Sequence, residues 1–212
     1  MSWSSFFLVL SKFHSMSQET ISIPDGIKGL IFDLDGTLID SMPLHYDGYN
    51  YALEPWGVIY PKELFLSRAG IPTLDTMHLI AKENDIQGFD SEIAMQRKRS
   101  FVDTHLDRIT LIEPIFQILK DHQGRLPISV GTGSNRATVT SMFQMFDLDP
   151  YIPISVTATD VTHFKPHPET FLKCAELMEV DPADCLVFED GVPGIKAAET
   201  AGMQVVDVTQ YL

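Results

Sequence analysis

Short apolar runs alternate along the chain with stretches in which apolar residues recur every three or four positions. The runs of strand length are Leu30–Phe32, Ile128–Val130, Ile154–Val156, Leu186–Phe188 and Val205–Val208. Helical spacing predicts helices over about 112–122, 136–146, 167–179 and 192–201. Gly131, Gly191 and Gly202 punctuate the joins, and Pro168 falls where the first turn of a helix accepts proline. Strands and helices alternating at these lengths predict an α/β domain on a parallel sheet, with ligands gathered at the carboxyl ends of its strands.

Between about residues 43 and 110 the rhythm changes. The segments HYDGYNYALEPWG, PTLDTMHLIAKEN and SEIAMQRKRSFVDTHL place aromatics and charges at helical spacing, and no strand-like run interrupts them. They predict a small helical insertion between the first and second core strands. Its aromatic stripe of Tyr46, Tyr49 and Trp56 reads as helix packing, because such stripes bury a core face. The expected division is an N-terminal tail over 1–26, an α/β core over 27–42 and 111–212, and a helical cap over 43–110. The apolar SFFLVL run in the tail is far shorter than the roughly 20 residues a bilayer span needs. Lys12 follows that run where a secretory signal places positive charge before it, and Met16 offers an alternative start.

At 212 residues the chain is long enough for one domain with an insertion or for two small ones. A formal charge of −14 argues against nucleic acid and anionic membranes, which reward a basic face. Small anionic substrates remain open, since they need only a local cluster of cations or backbone donors. The two cysteines, Cys174 and Cys185, lack CxxC spacing and read as buried free thiols of a reducing, cytoplasmic setting. A monomer or weak dimer with neither nucleic acid nor membrane as partner fits these bounds.

The chemistry lies at the ends of the apolar runs. The first runs into Asp33-x-Asp35-Gly36-Thr37. Residues two apart in extended chain project to one side, so these carboxylates are expected to crowd one spot, which asks for a metal, a proton-transfer role or both. The second run ends in Gly131-Thr132-Gly133-Ser134, where backbone N–H groups can approach an anion and the Thr hydroxyl adds a donor. Lys165 stands in HFKPHPE, stiffened by Pro166 and Pro168, and CLVFED ends in Glu189 and Asp190. Two acid pairs, hydroxyl and backbone donors and one lysine suit a hard cation such as Mg²⁺ and the neutralisation that phosphoryl transfer requires.

With DLDGT, VGTGS, KPHPE and FEDGVPG in this order, the sequence resembles the haloacid dehalogenase superfamily over about 28–212. DGTLIDSMPLHY and the insertion after it resemble the subgroup of β-phosphoglucomutases and fructose-1-phosphate phosphatase-like enzymes. The resemblance implies a Rossmann-like parallel-sheet core with a mobile α-helical cap. It implies Asp33 as nucleophile and metal ligand, forming an aspartyl-phosphate, and Asp35 as acid and base with its backbone carbonyl on Mg²⁺. Thr132 and Lys165 complete the catalytic set, and Glu189 and Asp190 complete the metal site. Gly133, Ser134, Asn135, His45 and Lys98 are expected at the substrate.

An acid at position 35 favours phosphate esters, since dehalogenases of the superfamily lack one there. Mutase relatives place an Arg a few residues after a glycine in the cap loop. The matching position in RAGIPTLD is Thr73, which favours a Mg²⁺-dependent sugar phosphatase over a β-phosphoglucomutase. Arg68, Arg97 and Arg99 read as surface residues, with Arg68 the one candidate substitute for the missing Arg. Asp40 reads as a hinge or helix-capping residue, and His163 and His167 as non-metal residues. A catalytically silent binding protein on this fold is the reading from another class.

Overall fold

A computed structural model describes residues 21–69 and 71–212. The expected tail, with its SFFLVL run, lies outside the described residues up to position 20. In chain order the main elements are β1 (Gly29–Phe32), β2 (Ile39–Asp40), α1 (Met42–Leu53), α2 (Lys62–Ser67), α3 (Thr73–Glu83), α4 (Ser91–Asp103), β3 (Thr110–Leu111), α5 (Glu113–His122), β4 (Ile128–Gly131), α6 (Arg136–Phe146), β5 (Ile154–Val156), α7 (Glu169–Met178), β6 (Cys185–Glu189), α8 (Val192–Thr200) and β7 (Gln204–Asp207).

Five of the strands make one parallel sheet in the order β5-β4-β1-β6-β7. The central strand β1 reads GLIF and is buried throughout, as a strand covered on both faces must be. Its alternation divides the core. Leu30 and Phe32 pack with Ile115, Phe116 and Leu119 of α5 and Val139, Met142 and Phe143 of α6. Ile31 packs on the other side with Phe171, Cys174 and Ala175 of α7 and Ala197 and Ala198 of α8. Phe32 is in register with Val130 on one side and Phe188 on the other, and its ring stacks on Phe188 at 4.6 Å. Such a pair adds about 0.5–1.5 kcal/mol beyond its buried area. The register also brings the residues after Phe32, Val130 and Phe188 to one edge, so the chemistry-bearing strand ends meet.

Helices α1 to α4 form the insertion and bury a second cluster around Tyr49, Leu53, Tyr60, Phe65, Met77, Ile80 and Ala94. Tyr46 and Trp56 pack against it, so the aromatic stripe serves helix packing as expected. Gly48 lets α1 approach α4 closely: a Cβ there would stand 3.2 Å from Val102 Cγ2 and 3.3 Å from Lys98 Cγ. One feature is absent from the sequence reading. β2 and β3 pair antiparallel, Ile39 opposite Leu111 and Asp40 opposite Thr110, so both chain crossings of the insertion run side by side. Two-residue strands carry no readable period, and only long-range pairing reveals them. Asp40 sits exposed on this ladder and does not cap α1.

Cys174 and Cys185 are free and buried. Burial pushes their thiols up to about 12 and about 11 respectively, so both stay neutral near pH 8, where thiolate chemistry needs ionisation. Ellman's reagent at pH 8 is expected to label neither cysteine in the native protein within minutes and both in guanidinium chloride; rapid native labelling would contradict this packing.

Candidate active site

The turn after β1 is drawn tight by hydrogen bonds from Leu38 N–H and Ile39 N–H to the Leu34 carbonyl and from Gly36 N–H to the Ile39 carbonyl. Gly36 occupies it at φ +95°, and a Cβ there would fall 2.3 Å from Asp190 Oδ2, so glycine is required twice over. Asp33 points inward. Its Oδ1 lies 2.6 Å from Lys165 Nζ, which also reaches Glu189 Oε1 at 3.2 Å, and all three residues are buried. Glu189 Oε2 accepts from Asp190 N–H at 2.8 Å and Gly191 N–H at 3.3 Å, and Thr37 Oγ1 donates to Asp190 Oδ1 at 3.0 Å.

Burial would lower the Lys165 pKa, but Asp33 and Glu189 outweigh it and hold the ammonium charged, its pKa raised. The acids are short of positive charge. Burial, then Glu189, raise Asp33 well above the carboxylate range against the pull of Lys165, and burial and Glu189 push Asp190 up to about 7. One oxygen from each of Asp33, Glu189 and Asp190 lies within 4.8 Å of the others. Three carboxylates sharing one ammonium form an all-oxygen donor set, which fits a hard divalent cation better than a soft one.

Asp35 lines the same chamber as Asp33 but takes different hydrogen-bond partners. The chain has left the strand by position 33, and the turn aims Asp35 at other groups. Its Oδ1 takes Ser41 Oγ at 2.7 Å and His45 Nε2 at 3.1 Å, and its Oδ2 takes Ser134 Oγ at 2.6 Å, with Thr132 Oγ1 at a longer 3.4 Å. Burial alone would raise its pKa; His45, Ser134 and Ser41 together bring it below the ordinary value. Burial and then Lys98 lower the His45 pKa, against the pull of Asp35.

A chamber of about 110 Å³ is lined by Asp33, Asp35, His45, Lys98, Thr132, Gly133 and Ser134 among others. A wider one of about 410 Å³ shares His45, Thr73, Lys98, Gly133 and Ser134 and runs between the insertion and the core. Thr73 holds the buried Lys98 through a 3.3 Å hydrogen bond from Nζ, and that ammonium also lies 4.6 Å from the Tyr49 ring centroid. Of the expected substrate residues, Asn135 differs: its side chain caps α6, bonding Thr138 N–H and Oγ1, and it lines only the wider chamber. Arg68 reads from the sequence as a surface residue, yet its side chain is only 14% exposed and lines the carboxylate chamber, tied to Glu83 through Nη2, with Nη1 buried and without a hydrogen-bond partner among the described residues. Thr37 and Ser41, which bond Asp190 and Asp35, carry no signal of that role in the chain beyond their place in DGTLIDS.

The parallel sheet brings the strand-end acids and the buried lysine together at one site. The sequence matches the haloacid dehalogenase-like hydrolase family over residues 30–208, and the chain belongs to that family. It is 36% identical over 180 residues to fructose-1-phosphate phosphatase of Escherichia coli K12, covering 85% of this chain and 95% of that one. It is 25% identical over 191 residues to β-phosphoglucomutase of Bacillus subtilis, covering 87% and 84%. A β-phosphoglucomutase crystal structure from Clostridium difficile superimposes with a TM-score of 0.76 at 24% identity, covering 84% of this chain and 83% of that one, which shows the shared fold. The chain is thus an enzyme of a hydrolase family with both phosphatase and phosphomutase relatives.

Gly194 leaves space for Glu189: a Cβ there would lie 1.4 Å from Oε1 and 2.2 Å from Cδ. Gly194→Ala must therefore displace a buried, hydrogen-bonded carboxylate, and urea denaturation is expected to show a loss of about 1–3 kcal/mol. An unchanged midpoint would mean that Glu189 is not held as described.

Proposed function

We propose that the protein is a cytoplasmic Mg²⁺-dependent phosphatase of small sugar phosphates, such as fructose 1-phosphate, acting through an aspartyl-phosphate. The observation that carries the reading is the opposite setting of two acids only two residues apart: Asp33 against Lys165, Asp35 against hydroxyls and His45. Divergent environments of this kind mark a division of roles between paired carboxylates.

In the first half-reaction an Asp33 oxygen attacks phosphorus, the bond to the sugar oxygen breaks, and that oxygen takes a proton from Asp35. The incoming phosphate anion raises the proton affinity of Asp35, which the free enzyme keeps ionised. In the second half, water attacks the phosphoryl group, Asp35 takes its proton, and phosphate leaves with Asp33 regenerated. Lys165 screens Asp33 from the phosphoryl charge, and Thr132 with the Gly133 backbone offers donors to the phosphoryl oxygens. Asp33, Asp190, Glu189 and the Asp35 carbonyl would hold Mg²⁺, which supplies charge neutralisation when bound. Lys98, His45 and Ser134 face the sugar side, and the two adjoining chambers suit a small phosphorylated metabolite.

A mutase is the second reading, favoured by one observation. Arg68 brings a partly unpaired guanidinium to the chamber, where it can stand in for the clamp that Thr73 cannot make.

Phosphate release from a panel of hexose and polyol phosphates, with and without chelator, tests the proposal. Release from a few of them with Mg²⁺ is expected, abolished by EDTA and by Asp33→Asn, and lowered by about 10²–10⁴-fold in Asp35→Asn. Full activity of Asp33→Asn without metal would sink it. A coupled assay for β-glucose 1-phosphate conversion to glucose 6-phosphate, primed with the bisphosphate, decides for the mutase if isomerisation outruns release and Arg68→Ala suppresses it.

A further inference from the structure

On the outer side of the loop that carries Lys165, three side chains take no part in the proposed chemistry. His163, His167 and Glu169 come from HFKPHPE and the first turn of α7, and one ligating atom of each lies within 4.8 Å of the others. Glu169 Oε2 stands 2.7 Å from His163 Nδ1 and 4.0 Å from His167 Nδ1. The imidazole rings lie 4.5 Å apart between centroids, tilted by 32°.

The carboxylate is held in place before any ligand arrives. Its Oε1 accepts from Thr162 N–H at 2.8 Å and its Oε2 from His163 N–H at 2.9 Å. With its own side-chain contact to His163, these bonds bring Glu169 down to about 2, so it stays ionised. The Glu169 N–H points at His167 Nδ1 at 3.2 Å, which favours the tautomer with a lone pair on that nitrogen. Both imidazoles are at least half exposed, so an ion reaches them from solvent without opening the fold.

We infer that His163, His167 and Glu169 form a second metal site, for Zn²⁺ or a similar divalent transition ion, distinct from the all-oxygen site at Asp33. Two imidazoles with one carboxylate suit such ions, whereas Mg²⁺ prefers oxygen donors alone. Tetrahedral bonds of about 2.0–2.2 Å place ligands roughly 3.3 Å apart, so closure asks only for side-chain adjustments on the order of 1 Å. Asp75 at the start of α3 lines the same cleft, together with Ile71 and Pro72 of the insertion. Since the two histidines flank Lys165 in sequence, an ion here ties both sides of that loop to α7.

The test is calorimetric titration of the full chain with ZnCl₂ in saturating Mg²⁺, which keeps the acid cluster filled, with Co²⁺ followed in parallel by visible absorption. One Zn²⁺ per chain is expected, with imidazole-type Co²⁺ bands. The H163A/H167A double variant should bind at least tenfold more weakly and lose the bands, with its thermal melt in Mg²⁺ unchanged. The single variant His163→Asn should weaken binding in the same direction and serves if the double variant melts early. Identical isotherms for wild type and variants, or no wild-type binding, would overturn the site and leave the trio as a surface ion pair.

Discussion

One buried ammonium stands among two buried carboxylates and a third, Asp190, that is partly buried, and the rest of the site depends on that imbalance. Lys165 Nζ bridges Asp33 and Glu189, joining the loop before α7 to the ends of β1 and β6 across 132 and 24 residues of sequence. Breaking such a buried pair from one side costs on the order of 3–5 kcal/mol, because the remaining charge is left without a partner. The lysine answers only part of the negative charge. Asp190, pushed up to about 7 by burial and Glu189, registers the deficit.

Around this cluster the backbone is shaped by what must be left out. Gly36 and Gly194 give up their side chains to Asp190 and Glu189, so the acids occupy volume a Cβ would claim. The tight turn that Gly36 allows also swings Asp35 toward Ser41, His45 and Ser134. Two carboxylates adjacent in sequence thereby come under opposite influences, which is the physical basis for assigning them different tasks.

The insertion completes the cavity from the other side. Tyr49, Arg68, Thr73 and Lys98 reach the chamber from three helices and a loop, and their own core packs independently of the sheet. The β2–β3 ladder is a narrow connection, two residues on each strand, between those helices and the core. Cationic and hydroxyl groups of the insertion thus face acids and a lysine that belong to the sheet and its loops.

Much of this was legible in the chain. Leu30–Phe32 and Leu186–Phe188 are apolar at every position and Ile128–Val130 at all but Ser129, which is the pattern of strands buried on both faces, and each is followed by the residues that meet at the site. Local chemistry sufficed for that, since β propensity, turn glycines and helix periods act within a few residues. The sequence by itself thus determined the sheet, its helices and the identity of the acids and lysine. Tertiary structure alone decided which way Asp35 turns, that Arg68 enters the chamber, and that β2 pairs with β3. Those outcomes rest on contacts between residues far apart in the chain and on side-chain direction, neither of which periodicity encodes.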